Sequence, residues 1–551
     1  MFWRTPLVWS QKPDWSSDRG SMTAGPLTVP TEKDIQKKGR RSSRGWWAAA
    51  AIVLLPALIP PISLTWQVVT EGIGTPIPFD RLVELFLGTL ALTVAVTITA
   101  LGIGTATAWL TNRTNVPGRR LWMILAALPL VIPSYVAALT IIGATGPGGL
   151  LSTWLGFEIP TPYGFVGAWL ALSVFLAPMA HLIVTPALRM IDPATEEAAT
   201  GLGASGARVF FTITLRQLRP ALVSAGLMVG LYTISDFGAV SLLRFDTFTR
   251  AIFTLYAGQI DRRPAAALSV VLMVLALAIL FIERRTRSRA GYHLKSTSRR
   301  RSRLNLTGWG KGATLGFLGT FVMVALIVPI SVLVYWLVRG LSAGQDLGVF
   351  WDEIARSLSV SVIAAVLAAA ASLPIAMVTT WKRGRFSNAA ETGTWAVYAL
   401  PHITVGVAVV AFSLQWLRPL YQTIALLVLT YVAMFMAQAV STTQDSLRRA
   451  SPDLEDASRG LGRGPFQTLR RVTVPLAGPG LVAGSALVFL SVMKELPATL
   501  LLRPNGFETL AIRIWSSTGE GFYTRASVAG LALLAVSIVP LLALTYRDLS
   551  D

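Results

Sequence analysis

Residues 196–203 read Glu196-Glu197-Ala198-Ala199-Thr200-Gly201-Leu202-Gly203, and residues 455–462 read Glu455-Asp456-Ala457-Ser458-Arg459-Gly460-Leu461-Gly462. The second copy lies 259 residues after the first. The same offset carries Asp192-Pro193 onto Ser451-Pro452, Pro220 onto Pro479, and the run from Asp236 to Arg244 onto the run from Glu495 to Arg503. A pattern that keeps register without a gap over this length marks duplication of a whole unit. Each copy sits between long apolar runs, so the duplicated unit belongs in a membrane.

Composition points the same way. Of 551 residues, 53% are hydrophobic and 14% charged, which is too apolar for an ordinary soluble domain. A spanning helix needs about 20 apolar residues. Six such runs fall in the first half, approximately 46–69, 84–110, 121–144, 164–188, 221–243 and 265–283. The second half has six more, approximately 313–338, 356–380, 390–414, 420–441, 480–502 and 526–546. The expected fold is therefore an all-α polytopic membrane protein with about 12 transmembrane helices in two parallel six-helix repeats, both termini on one side.

The expected domains follow from the runs and the breaks between them. Residues 1–45 form a disordered basic tail that includes Lys37-Lys38-Gly39-Arg40-Arg41, and 46–283 form the first six-helix domain. Residues 284–312 form a basic linker read as a flexible tether, 313–546 the second six-helix domain, and 547–551 a short C-terminal tail. The polar stretch before the first run is too long for a cleavable signal peptide, and Met22 is an alternative start to Met1.

The formal charge is +20. Its basic residues lie in the tail, at Arg113, Arg119 and Arg120, in both repeated loops, in the linker and at Lys382-Arg383-Gly384-Arg385, all on one face. The positive-inside rule makes that face, and both termini, cytoplasmic. Two outer stretches, around Arg244 to Arg263 and Arg503 to Arg525, are more basic than the rule prefers. Nucleic-acid binding is not expected, because no soluble segment interleaves this charge with aromatics; contact with anionic lipid is. With no cysteine and three scattered histidines, His181, His293 and His402, no metal site is expected. No catalytic cluster and no Gly-x-x-x-x-Gly-Lys-[Ser/Thr] phosphate loop occurs, so the chain is not expected to be an enzyme or to hold a cofactor.

Within the repeat, Pro193 and Pro452 shortly precede an acidic pair, which suits a helix start: proline is tolerated in the first turn and carboxylates complement the dipole. Gly201 and Gly203, or Gly460 and Gly462, then interrupt the helix, and a second, basic helix is expected to run to Pro220 or Pro479. The result is a helix-turn-helix at the membrane surface, presented to a soluble partner. Ionisable residues in spans mark function by default, so Asp236, Lys494 and Glu495 are gate or pathway candidates, with Asp236 and Glu495 in equivalent positions and Lys494 placed to bridge to Asp236. Pro129 and Pro133 in the third run and Pro401 in the ninth mark bends, with Leu128-Pro129 matched to Leu400-Pro401 at an offset of 272.

Glu197-Ala198-Ala199, Gly203 and Ile213-x-Leu215, with Asp456-Ala457, Gly462 and Val472-x-Val474-Pro475, resemble the "EAA" loops of permease subunits of ATP-binding-cassette importers, fused two-half type. The resemblance covers residues 46–546. It implies that Glu196, Glu197, Ala198, Gly201 and Gly203, and likewise Glu455, Asp456, Ala457, Gly460 and Gly462, form cytoplasmic coupling helices docked on two copies of a separate ATPase. That partner holds ATP and Mg, and an extracytoplasmic binding protein delivers substrate to the bacterial inner membrane. Lys494-Glu495-Leu496-Pro497 is similar to a stretch of iron(III)-transport permeases and Ser235-Asp236-Phe237-Gly238 to stretches of iron(III) and thiamine permeases, which implies ferric iron as substrate. Thiamine, sulfate and polyamine permeases of the same family, and a secondary transporter with twelve spans, are the alternatives. Two departures stand out: Arg216 where the family usually has proline, and Asp456-Ala457-Ser458 for Glu-Ala-Ala.

Overall fold

The computed structural model describes residues 32–289, 304–347, 350–381, 384–449 and 453–550. The readings made for residues 1–31, both candidate start methionines, the centre of the linker, Lys382-Arg383 and Ser451-Pro452 lie outside them. The chain divides into two compact units, Met1–Gly45 and Trp46–Asp551. In the first, the backbone described from Glu32 on is helical, as the start of α1 (Glu32–Glu71). The second unit holds everything discussed below.

The first half continues with α2 (Phe79–Arg113), α3 (Arg119–Ala127), α4 (Ser134–Ala144), α5 (Phe165–Met190), α6 (Pro193–Gly201), α7 (Phe210–Ser235), α8 (Gly238–Leu242), α9 (Phe248–Gly258) and α10 (Arg263–Arg289). The second half repeats the order: α11 (Gly308–Ser342), α12 (Trp351–Trp381), α13 (Arg385–Ala399), α14 (His402–Trp416), α15 (Ile424–Arg449), α16 (Asp453–Gly460), α17 (Pro465–Met493), α18 (Pro497–Leu502), α19 (Leu510–Gly519) and α20 (Tyr523–Ser550). Among the described residues eight helices are long and apolar enough to cross a membrane, and the number reaches eleven if each of three bent pairs counts as one span. Tyr523–Ile538 is a shorter apolar helix. Each of the twelve expected runs thus has a helical counterpart, and the fold is all-α and polytopic.

Three expectations are corrected. The bends of the third and ninth runs are breaks at which helices meet nearly at right angles: α3 with its following 3-10 turn meets α4 at 93°, and α13 meets α14 at 103°. Pro133 and Pro401 cap α4 and α14, each in extended backbone. Proline lacks an N–H and disfavours helical backbone before it, so a helix restarts there more readily than it continues. Structure therefore pairs Pro133 with Pro401, an offset of 268 rather than the expected 272, while Pro129 lies in the 3-10 turn Leu128–Val131. The runs 221–243 and 480–502 are also not continuous: α7 stops at Ser235 and α17 at Met493, and a short helix restarts at Gly238 and at Pro497, three and four residues later. Finally, the helix after each polar loop runs on through Pro220 or Pro479 into the membrane instead of ending there. One missing N–H costs a single ladder bond, whereas unwinding the apolar segment beyond it would strand many backbone groups in lipid.

Each half sends its first span to the other. In α1, the Ser63 hydroxyl donates to the Ala408 carbonyl at 3.0 Å, and Trp47 and Trp66 pack against Phe386 and Trp416. In α11, Trp336 Nε1 donates to the Gly143 carbonyl at 2.8 Å and Tyr335 to the Gly148 carbonyl at 3.1 Å. Both large apolar clusters accordingly mix residues of the two halves. The linker separates the halves in sequence but not in packing.

Close packing sets a test. A Cβ on Gly104 would lie 2.5 Å from the Ala177 carbonyl oxygen and 2.8 Å from the His181 amide nitrogen, both backbone atoms of α5, whereas Gly316 has open space. Gly104→Val is expected to lose about 1–3 kcal/mol through overpacking, seen as a lower unfolding temperature of the detergent-purified chain, with Gly316→Ala close to the native value.

Candidate functional site

The two polar loops share a backbone. In the first, Asp192 caps α6 by accepting the Ala194 amide at 3.0 Å, and Pro193 occupies the first turn. The helix ends at Gly201, and the chain turns at Gly203, whose φ is +85°. In the second, α16 ends at Gly460 and Gly462 has φ +79°. Left-handed backbone costs any residue with a Cβ about 1–2 kcal/mol, so glycine is required here by conformation and not by space, which is open at both positions. Leu202 and Leu461 stand at the apex of the two turns, 90% and 78% exposed.

The acidic pair of each loop splits its tasks. Neighbours on a helix point about 100° apart. Glu196 and Glu455 face inward and are 5% and 9% exposed, while Glu197 and Asp456, with Ala198 and Ala457, face solvent. Thr214 donates its hydroxyl to Glu196 Oε1 at 2.7 Å, and Thr473 donates to Glu455 Oε1. Each threonine closes a π-helical turn, Phe210–Thr214 or Leu469–Thr473, at the root of the following span. A buried carboxylate needs hydrogen bonds, and these tie each surface helix to the membrane helix behind it.

The second constellation lies where α7 and α17 break off. Asp236 Oδ2 accepts the amides of Ala239 (3.0 Å) and Val240 (3.4 Å), and the Ser134 hydroxyl also bonds its carboxylate. Glu495 Oε1 accepts the Ala498 amide at 3.1 Å, and its Oε2 lies 2.6 Å from His402 Nδ1. The two acids therefore cap the short helices α8 and α18 and are held by the first residue of α4 or α14. Gly238 and Gly406 make that approach possible, since a Cβ would meet Ser134 Oγ at 2.9 Å or Leu501 Cδ1 at 2.8 Å. Lys494 does not bridge to Asp236 as expected: its Nζ donates to the Leu130 carbonyl at 3.2 Å, and among the described residues the two form no ion pair. The lysine sits on the first half's broken span, as does its own carbonyl, which Tyr135 reaches at 3.4 Å.

Sequence reading missed Ser134, His402, Thr214 and Thr473 as members of these sites. For the threonines a signal was present, because the 259-residue offset carries Thr214 onto Thr473. His181 pairs with Thr107 at 3.0 Å, a buried hydrogen bond within the first half. No group of three or more His, Cys, Asp or Glu side chains able to hold a metal occurs among the described residues.

Residues 98–285 and 361–548 each match the family described as binding-protein-dependent transport system inner membrane component. The Fe(3+)-transport system permease protein FbpB 2 of Haemophilus influenzae is 32% identical over 504 residues, covering 90% of this chain and 97% of that protein. The ferric transport system permease protein FbpB of Actinobacillus pleuropneumoniae is 25% identical, covering 81% of this chain and 68% of that protein. The sulfate transport system permease protein CysT of Escherichia coli is 29% identical and covers 44% of this chain and 88% of its own. With the family region present twice along one polypeptide, this multi-pass inner-membrane protein belongs to the binding-protein-dependent transport system inner membrane components.

Proposed function

We propose that the chain is the complete membrane-spanning part of an ATP-driven importer, that its cargo is ferric iron delivered by an extracytoplasmic binding protein, and that its two polar loops dock two ATPase subunits from the cytoplasm. The observation that carries the docking role is the duplicated apex: an exposed leucine and an exposed acid, Leu202 with Glu197 and Leu461 with Asp456, around a glycine turn of the same hand. An apolar side chain held out from a charged surface on a short rigid helix suits insertion into a groove. Two equivalent copies suit two equivalent partners. The chain has no phosphate loop of its own, so energy comes from the partner, which shifts the population of permease states by binding them unequally.

The path runs between the halves, past the breaks capped by Asp236 and Glu495. Non-helical backbone at membrane depth is tolerated where it lines a cavity or is buried in protein, and Pro133, Pro401 and Lys494 gather there. Tyr232, one turn before the first break, is 40% exposed. The cargo reading rests on the Fe(3+)-transport permease, 32% identical over 90% of this chain, against 28% over 76% for the thiamine permease ThiP of Brucella suis and 29% over 44% for the sulfate permease. The basic loops support a cytoplasmic position for both termini.

Two outcomes are expected. Gly203→Leu or Gly462→Leu forces a side chain into left-handed backbone at about 1–2 kcal/mol, which lowers the population of the docking turn roughly 5- to 30-fold. ATPase association and transport fall together while membrane insertion stays native; unchanged transport contradicts the docking role. In proteoliposomes holding the chain, its ATPase and its binding protein, labelled ferric iron is taken up with ATP, and excess thiamine or sulfate does not compete. Competition by either, cationic thiamine or anionic sulfate, reassigns the cargo.

A further inference from the structure

The two loops are alike in backbone and unlike in what anchors them. Beside the shared bond to threonine, Glu196 faces Arg113, the last residue of α2, with Arg113 Nη2 3.8 Å from Glu196 Oε1 and both side chains less than 10% exposed, at 8% and 6%. The same Nη2 donates to the Leu188 carbonyl near the end of α5 at 2.8 Å. One buried guanidinium thus joins α2, α5 and α6. In the second loop the charged neighbour of Glu455 is Arg459 of its own helix, 3.5 Å away and 32% exposed. Among the described residues no buried guanidinium stands beside Glu455 as Arg113 stands beside Glu196; Lys382-Arg383, which follow α12, lie outside them.

The chain between the halves also attaches at this corner. Leu304 N donates to the Arg113 carbonyl at 3.0 Å, and Asn115 N donates to the Leu304 carbonyl at 3.2 Å, forming an isolated parallel bridge between Thr114 and Leu304. Asn115 Oδ1 accepts the Leu306 amide at 2.9 Å. The end of the expected flexible tether is therefore pinned to the residues that follow Arg113, just before α11 begins.

We propose that Arg113 is the positioning residue of the first coupling helix, that residues 304–306 hold its segment in place, and that the two loops consequently transmit motion unequally. Removing one member of a buried charge pair leaves the other uncompensated, so α6 moves with α2 and α5 as one body. A partly solvated pair within one helix is weak and exerts no such hold, so among the described contacts Thr473 is what ties α16 to the span behind it. The coupling role of the loops rests on the function proposed above; the unequal anchoring does not.

Amide hydrogen exchange on the full chain in lipid nanodiscs tests it without any partner. Arg113→Gln is expected to speed exchange across residues 193–203 by about tenfold or more and to leave residues 454–462 near native. Arg459→Gln is expected to leave both segments near native. Should Arg113→Gln not fold, Arg113→Lys, which keeps the charge and loses the fork, and Asn115→Ala, which releases the strap, are each expected to raise exchange in 193–203 alone. Equal acceleration of both loops, or none in the first, overturns the proposal. With ATPase and binding protein added, Arg113→Gln lowers iron moved per ATP hydrolysed more than Arg459→Gln does, and equal losses overturn unequal transmission. Failure of the native chain to take up iron with ATP counts against the importer reading alone and leaves the exchange result standing.

Discussion

A backbone amide or carbonyl within a bilayer has no water to bond, and wherever this chain departs from a helix at membrane depth something must replace the lost partner. The molecule does this twice in the same way. At each break a carboxylate, Asp236 or Glu495, accepts amides from the first turn of the short helix that follows. The carboxylate in turn is held by the first side chain of a helix that restarts after a proline, Ser134 in one half and His402 in the other. The breaks, the right-angled helices and the capping acids are parts of one arrangement, and none is stable alone.

The same logic of a charged group bonded from behind recurs in the two polar loops, where it serves attachment. Glu196 and Glu455 are turned inward to a threonine at the root of a spanning helix, and this leaves the next acid and the apex leucine to face outward. In both loops one hydrogen bond joins the surface helix to the π-helical turn at the root of the membrane helix, and in the first Arg113 adds a contact to α2 and α5. Each half's first span packs on the opposite half.

The class of fold was legible because a membrane imposes it: apolar run length counts spans, and a 259-residue repeat of polar residues divides them into halves. The loops were legible for a related reason, since glycines in left-handed turns and a proline in a first turn carry their conformation with them. The breaks after Ser235 and Met493 were hidden. The residues there, Phe237-Gly238-Ala239-Val240 and Leu496-Pro497-Ala498-Thr499, are apolar enough to continue a span, and the restart depends on capping that only the folded helices supply. Glu196 looked like its neighbour Glu197 until its partner, eighteen residues on, was in place. Arg113 carried no signal, being one of many basic residues at a helix end.

In the function proposed here the two glycine-turned loops are the points at which a cytoplasmic ATPase grips this protein. The chain has no cysteine, so Leu202→Cys and Leu461→Cys each provide a single reactive site. Site-specific cross-linking from these positions in the assembled inner membrane measures the contact directly. The account predicts a cross-link to an ATPase subunit from either position, at a yield that changes when ATP is bound. No cross-link from either, with iron uptake sustained by an ion gradient in the ATPase's absence, would contradict it.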